Sequence, residues 1–151
     1  MRAFKILGEY LNSAGWHPTT MDDSLAYHMS YSWKNGFIDV YARIRKDVEQ
    51  LICYATIKDR VPQKLRPKVA EFITKVNYGL RLGNFELDYA DGEVRYKTSV
   101  DFKDFPLSHE LIRNTLYPAV QTLDWYLKGL LDVIYADKSA DKVIAEVEKD
   151  V

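Results

Sequence analysis

Residues 61–102 read VPQKLRPKVAEFITKVNYGLRLGNFELDYADGEVRYKTSVDF, a helix running into a β-hairpin, and that succession decides the fold. Pro62 and Pro67 bracket the start of the helix, and Pro67 suits a first-turn position, where a missing N–H costs nothing. Val69, Phe72, Ile73 and Val76 recur at helical spacing and predict its buried stripe. Asn77 and Gly79 predict a left-handed stop. The pattern then changes to period two and reaches Asp91-Gly92, which favours a two-residue hairpin loop. That loop sets Tyr89 against Val94, Leu87 against Tyr96 and Phe85 against Thr98. Its other side sets Asp88 against Arg95 and Glu86 against Lys97. Such pairs contribute only about 0.2–1 kcal/mol each, so they report register more than stability. Leu80 and Leu82 fall out of phase with Phe85 and Leu87, which predicts a β-bulge at Gly83.

The preceding segment repeats the logic. Leu25, Tyr27, Met29, Tyr31 and Trp33 alternate with smaller or polar residues up to Asn35-Gly36. A type I′ loop there pairs Trp33 with Ile38, Tyr31 with Val40, Met29 with Ala42 and Tyr27 with Ile44, all on one buried face. The opposite face then sets Ser30 against Tyr41 and His28 against Arg43. A third strand, about 50–57, returns after Lys46-Asp47-Val48-Glu49. Matching apolar faces pairs Ile44 with Leu51, Ala42 with Cys53 and Val40 with Ala55, and places Tyr41 beside Tyr54 and Arg43 beside Ile52.

Helices flank these strands. Phe4, Leu7, Leu11 and Ala14 predict one over about 2–14, stopped by Gly15 and Pro18. Ser108 predicts the cap of a long last helix, with Leu107 and Ile112 as its hydrophobic staple. Ile112, Leu116, Val120, Leu123, Leu127, Leu130 and Ile134 form its stripe, and Pro118 predicts a kink or a break near Tyr117. The order is α-β-β-β-α-β-β-α. The expected class is therefore α+β, an antiparallel sheet of about five strands with helices packed on one face. Residues 1–138 read as a single domain and 139–151 as a C-terminal extension or tail.

Composition narrows the function classes. A 151-residue chain that is 47% hydrophobic and 28% charged suits a globular domain with its own core. A net charge of −1 offers no long-range field for nucleic acid or anionic lipid, and no stretch approaches the length of a membrane span. The single cysteine, Cys53, lies in an apolar run and points to a reducing, cytoplasmic setting. No uninterrupted apolar run of signal-peptide type opens the chain.

The residues that could carry chemistry read as scaffold. His17, His28 and His109 have no cysteine or carboxylate at ligand spacing, so no metal site is expected. Cys53 shares its face with Ala42, Leu51 and Ala55, a core setting that raises a thiol's pKa. The Gly79–Asn84 stretch follows a helix and opens a strand, the reverse of a phosphate-cradling loop. Asp88, Asp91 and Glu93 sit at a turn too tight to wrap a cation. Arg60, Lys64, Arg66 and Lys68 lack the interleaved aromatics of a nucleic-acid stripe. No catalytic residue and no cofactor is expected. The outer face of the first three strands differs, because Tyr41, Arg43, Ile52 and Tyr54, with His28, cluster where a free face should be plainly polar. Tyrosine and arginine are frequent anchors of protein contacts, so Tyr41, Arg43, Ile52 and Tyr54 form the candidate partner-binding surface.

Several motifs resemble the YbjN family of bacterial sensory transduction regulators, which has a type III secretion chaperone-like fold. They are Val61-Pro62, Arg66-Pro67 with Val69-Ala70-Glu71-Phe72, Asn77-Tyr78-Gly79-Leu80, Gly83-Asn84-Phe85-Glu86-Leu87-Asp88 and Asp91-Gly92-Glu93-Val94-Arg95-Tyr96. The resemblance implies that fold, and a cytoplasmic, non-enzymatic protein that pairs with itself or holds another protein. The expected function is a protein-binding regulator or chaperone-like adaptor acting as a homodimer. The alternative is a small-ligand-binding or enzymatic domain with a cleft between sheet and helices. Neither nucleic acid nor membrane is an expected partner.

Overall fold

The amphipathic segments become helices laid on one face of an antiparallel sheet. The computed structural model describes residues 1–149. In chain order the elements are α1 (Arg2–Ser13), β1 (Thr19–Thr20), β2 (Ala26–Ser32), β3 (Phe37–Arg45), β4 (Gln50–Thr56), a 3₁₀ turn (Gln63–Leu65), α2 (Arg66–Gly79), β5 (Asn84–Leu87), β6 (Val94–Asp101), α3 (His109–Tyr135) and α4 (Ala140–Val147). The sheet order is β1-β2-β3-β4-β6-β5, so the two-residue β1 joins the five expected strands at one edge. No helix among the described residues is long and apolar enough to cross a membrane.

Helix ends show what each residue contributes. Gly15 takes a φ of +80° and closes α1, with the Trp16 N–H donating to the Leu11 carbonyl. The helix stops at Ser13, so Ala14 is exposed rather than part of the stripe formed by Leu7 and Leu11. Val69, Phe72, Ile73 and Val76 bury one side of α2, as their spacing predicts. Its end departs from expectation, since Gly79 is not left-handed and Leu80 simply turns extended. Asn77 instead uses its side chain to grip Phe85, accepting from the backbone N–H at 2.7 Å and donating to the carbonyl at 3.0 Å. Ser108 caps α3 by accepting from the Leu111 N–H at 3.1 Å. Pro118 lies inside α3, which continues through it as one 27-residue helix rather than two.

Between β3 and β4 the register is the expected one, including Tyr41 opposite Tyr54 and Arg43 opposite Ile52. The two hairpins are both displaced by two residues. Tyr31 pairs with Ile38, Met29 with Val40 and Tyr27 with Ala42, because the first loop centres on Lys34-Asn35 and the Trp33 N–H donates to the Gly36 carbonyl. Neither Asn35 nor Gly36 takes the positive φ that a type I′ turn requires. In the second hairpin Leu87 pairs with Val94, Phe85 with Tyr96 and Glu86 with Arg95. Its loop is the longer Tyr89–Gly92, closed by the Asp88 N–H on the Glu93 carbonyl, and Gly92 takes φ +81° after the turn. Asp88 therefore does not face Arg95. Its carboxylate accepts from the Ala90 N–H at 2.8 Å and shapes the loop. A two-residue displacement leaves side-chain parity intact, so the buried and outer faces are those expected while the individual partners change.

Gly83 is not a bulge within the ladder. It takes φ +81° just before β5, where a Cβ would collide with the Lys97 carbonyl. Residues beyond Lys138 fold back as α4, with Ala140 and Val143 buried. Gly129 makes the room, since a Cβ there would lie 2.6 Å from Val143 Cγ1 and 2.8 Å from Val147 Cγ2. Residues 150 and 151 of the expected tail lie outside the described residues.

Candidate functional site

Strand alternation builds the outer face. Val40, Ala42, Cys53 and Ala55 have no exposed surface and belong to the same core as Leu116, Val120 and Leu123 of α3. Their neighbours along β3 and β4 must therefore point the other way. Tyr41, Ile52 and Tyr54 are half-buried there and Arg43 is exposed, so the structure brings all four candidate residues together.

Charged groups organise the tyrosines. The His28 ring stacks on Tyr41 with centroids 4.7 Å apart, and its Nε2 lies 2.9 Å from Asp39 Oδ1. Ser30 Oγ donates to the same Oδ1 at 2.6 Å. On the other flank the Arg95 guanidinium lies 4.3 Å from the centre of the Tyr54 ring and donates to Glu86 Oε1 at 2.8 Å. Lys97 donates to Glu86 Oε2 at 2.8 Å. Burial alone pushes the Asp39 carboxyl up, but hydrogen bonds from Ser30 and His28 and the charges of His28 and Lys58 outweigh it and hold it below its ordinary value. Glu86 behaves alike, with burial outweighed by hydrogen bonds from Lys97 and Arg95 and by their charges. Burial raises the Tyr41 hydroxyl, and the nearby Asp39 and Glu93 carboxylates push it the same way. Arg43 has no ion-pair partner among the described residues. The face is concave, with an open depression of about 440 Å³ bordered by Met21, Asp22, Tyr41, Arg43, Tyr54 and Arg95.

The expected register hides the grouping of Ser30, His28 and Asp39, because it sets Ser30 against Tyr41 and His28 against Arg43. Once β2 and β3 are in their observed register Ser30 lies directly opposite Asp39. The grouping is not a proton relay. A relay places the hydroxyl and the carboxylate on different ring nitrogens, whereas here His28 Nε2 meets both, and the serine donates to the carboxylate. Its effect is to give a largely buried carboxylate two hydrogen-bond partners and to fix the ring beneath Tyr41. Cys53 is on the opposite, inner face, where burial pushes its thiol up to about 12. His17 and His109 are exposed, and the latter meets the Tyr10 ring edge-on. The basic run is engaged locally, with Arg60 on Glu93 and Asp91, Arg66 on the Val61 and Tyr89 carbonyls, and Lys68 on Asp137.

Comparison with known proteins follows the same lines. The fold resembles a chain of the ExsC–ExsE complex, with a TM-score of 0.57 and 16% identity over 84% of this chain and 92% of that one. It resembles the crystal structure of YbjN from E. coli, with a TM-score of 0.55 and 14% identity over 97% of this chain and 91% of that one. A chain of the HopA1–SchA chaperone–effector complex gives a TM-score of 0.49 and 15% identity over 80% and 88%. No curated protein matches the sequence. The profile of one family, described as "Putative bacterial sensory transduction regulator", matches residues 4–131, and the chain therefore belongs to the YbjN family.

Proposed function

We propose that this protein is a non-enzymatic, protein-binding regulator or chaperone-like adaptor that engages its partner through Tyr41, Arg43, Ile52 and Tyr54. The observation that carries this reading is the row His28–Tyr41–Tyr54–Arg95, an aromatic and cationic surface on the side of the sheet away from the helices. Interfaces are enriched in tyrosine and arginine, and anchors held by their own neighbours lose little freedom on binding. Membership of a family of regulators supports the reading, as does a similar chain solved in a complex of two proteins. A second copy of the chain is the partner we favour, giving a homodimer. A buried lone thiol suits the reducing cytoplasm. Side chains with no exposure fill the space between β3–β4 and α3, which favours the outer face over a cleft between sheet and helices. The deciding experiment is sedimentation of the wild-type chain and of a variant with both tyrosines replaced by serine, with capture of a foreign partner as the second arm.

A further inference from the structure

The short loop between α2 and β5 is held at both ends and turns Leu82 into solvent. Asn77 grips both backbone groups of Phe85, and the Tyr96 hydroxyl donates to the Leu82 carbonyl at 2.6 Å. Gly83, pressed on the Lys97 carbonyl, fixes the loop's far end. Leu82 is nonetheless 64% exposed, so it does not contribute to the core. Leu82 is the ridge between two adjoining grooves of about 560 and 600 Å³, both bordered by Pro118 and Gln121 of α3.

The charges around the ridge are one-sided. Arg81 lines the first groove and Arg113 the second, and neither has a carboxylate partner among the described residues. The one carboxylate bordering either groove, Glu148, accepts a hydrogen bond from the Tyr126 hydroxyl at 2.7 Å. Pro118 has no N–H to give the Asn114 carbonyl one helical turn back, and Asn114 borders the second groove.

We propose that the Leu82 ridge is a second docking surface, distinct from the outer sheet face, for an amphipathic protein segment. That segment sets an apolar side chain against Leu82 and carboxylates against Arg81 and Arg113. A guanidinium binds a carboxylate through two parallel hydrogen bonds, so two of them flanking an apolar ridge select an acidic amphipathic partner over a basic one. A loop held at both ends lowers the ordering cost of that contact. Two arginines on a chain of net charge −1 are too few to hold a nucleic-acid backbone.

The test is a ¹⁵N-resolved titration of the full chain with two synthetic peptides. One is an amphipathic leucine–glutamate peptide, and the other has every glutamate replaced by lysine. The acidic peptide should shift the resonances of residues 79–83 and 113–121 saturably, and the basic one should not. R81E combined with R113E should weaken the acidic peptide at least tenfold and admit the basic one, and L82A should weaken it without changing the charge preference. All three positions are exposed, so circular dichroism should show an unchanged fold. Equal binding of both peptides, no saturable shift at millimolar peptide, shifts confined to other residues, or stronger binding of an oligothymidine probe would each overturn the proposal. Replacing Tyr41 and Tyr54 should leave this titration unaltered, so its failure is separable from failure of the outer-face reading.

Discussion

Asn35 is held by Asp124 through three hydrogen bonds that cross from the first hairpin to α3. The Asn35 N–H donates to Oδ1 at 2.9 Å, and its side-chain amide donates to the Asp124 carbonyl at 3.0 Å and to Oδ2 at 3.3 Å. This clasp draws the loop onto the helix and explains why Asn35-Gly36 does not form the turn its composition favours. Gly36 is pressed there too, since a Cβ would lie 2.6 Å from Leu127 Cδ2.

Replacing Asp124 with alanine should therefore destabilise the fold by about 1–3 kcal/mol, since it removes a largely buried, charged acceptor and the hydrogen bonds it receives from Asn35. Asp124→Asn, which keeps an acceptor oxygen, should lose less. Urea unfolding monitored by tryptophan fluorescence measures both. Equal stability of wild type and D124A would mean that water replaces the clasp without cost.

How much was legible in the sequence follows from which contacts are local. The β3–β4 register was readable because Lys46–Glu49 leaves the apolar faces only one good match, and with it came the pairs Tyr41–Tyr54 and Arg43–Ile52. In the other two hairpins the apolar faces fix only side-chain parity and the turn residues supply the rest of the register, and each turn is docked by residues distant in sequence. Asn35 has Asp124, while the second loop has the Val61 N–H on the Gly92 carbonyl and Arg66 on the Tyr89 carbonyl. Glu86 consequently meets both Arg95 and Lys97 instead of sharing them with Asp88. The docking of α4 depends on a missing side chain at Gly129, which no pattern of hydrophobic residues announces.

That dependence is testable. At Gly129 an alanine adds helix propensity of about 1 kcal/mol, but its Cβ meets Val143 and Val147. G129L should displace α4 while sparing the sheet. Hydrogen exchange should show lost protection over residues 140–147 with β3 and β4 still protected. Unchanged protection of α4 in G129L would refute the account of Gly129.

Acid should weaken the outer face in a defined direction. Asp39 and Glu86 ionise at lower pH in the folded chain than in the unfolded chain, so the folded state binds fewer protons across that interval. Their stabilisation is complete above the unfolded carboxylate value of about 4 and is lost as pH falls through the depressed folded values. Urea midpoints between neutral and acid pH should fall more steeply for wild type than for a D39N/E86Q variant. Parallel curves would show that these carboxylates are not the linked groups.

Cys53 should resist alkylation in the folded chain at pH 8 and react at once in denaturant. Burial holds its thiol protonated, up to about 12, well past the ordinary thiol range. Because the folded value is the higher one, this group's stabilisation is present below the unfolded value and is lost as pH rises through the interval between them. Rapid labelling of the native protein by iodoacetamide would show that β4 opens readily.

The outer face offers the most direct test of function. Tyr41 is stacked on His28 and Tyr54 lies under Arg95, so each tyrosine is held in place before any partner arrives. Replacing both with serine removes one stacking and one cation–π contact at half-exposed positions, a loss of about 1 kcal/mol for each to the isolated chain. As central anchors of an interface they should contribute about 2 kcal/mol or more each to association. The Y41S/Y54S variant should therefore still fold, unfold at a lower urea concentration, and lose association by more than a hundredfold. Sedimentation reads the outcome for a second copy of the chain, and capture from native lysate reads it for a foreign partner. Association unchanged in both arms would make the face ordinary surface despite its tyrosines. A variant that fails to fold would mean that the clamp of His28, Asp39 and Ser30 depends on the ring it supports, and R43E, an exposed single change that leaves both rings in place, would then decide whether the face binds.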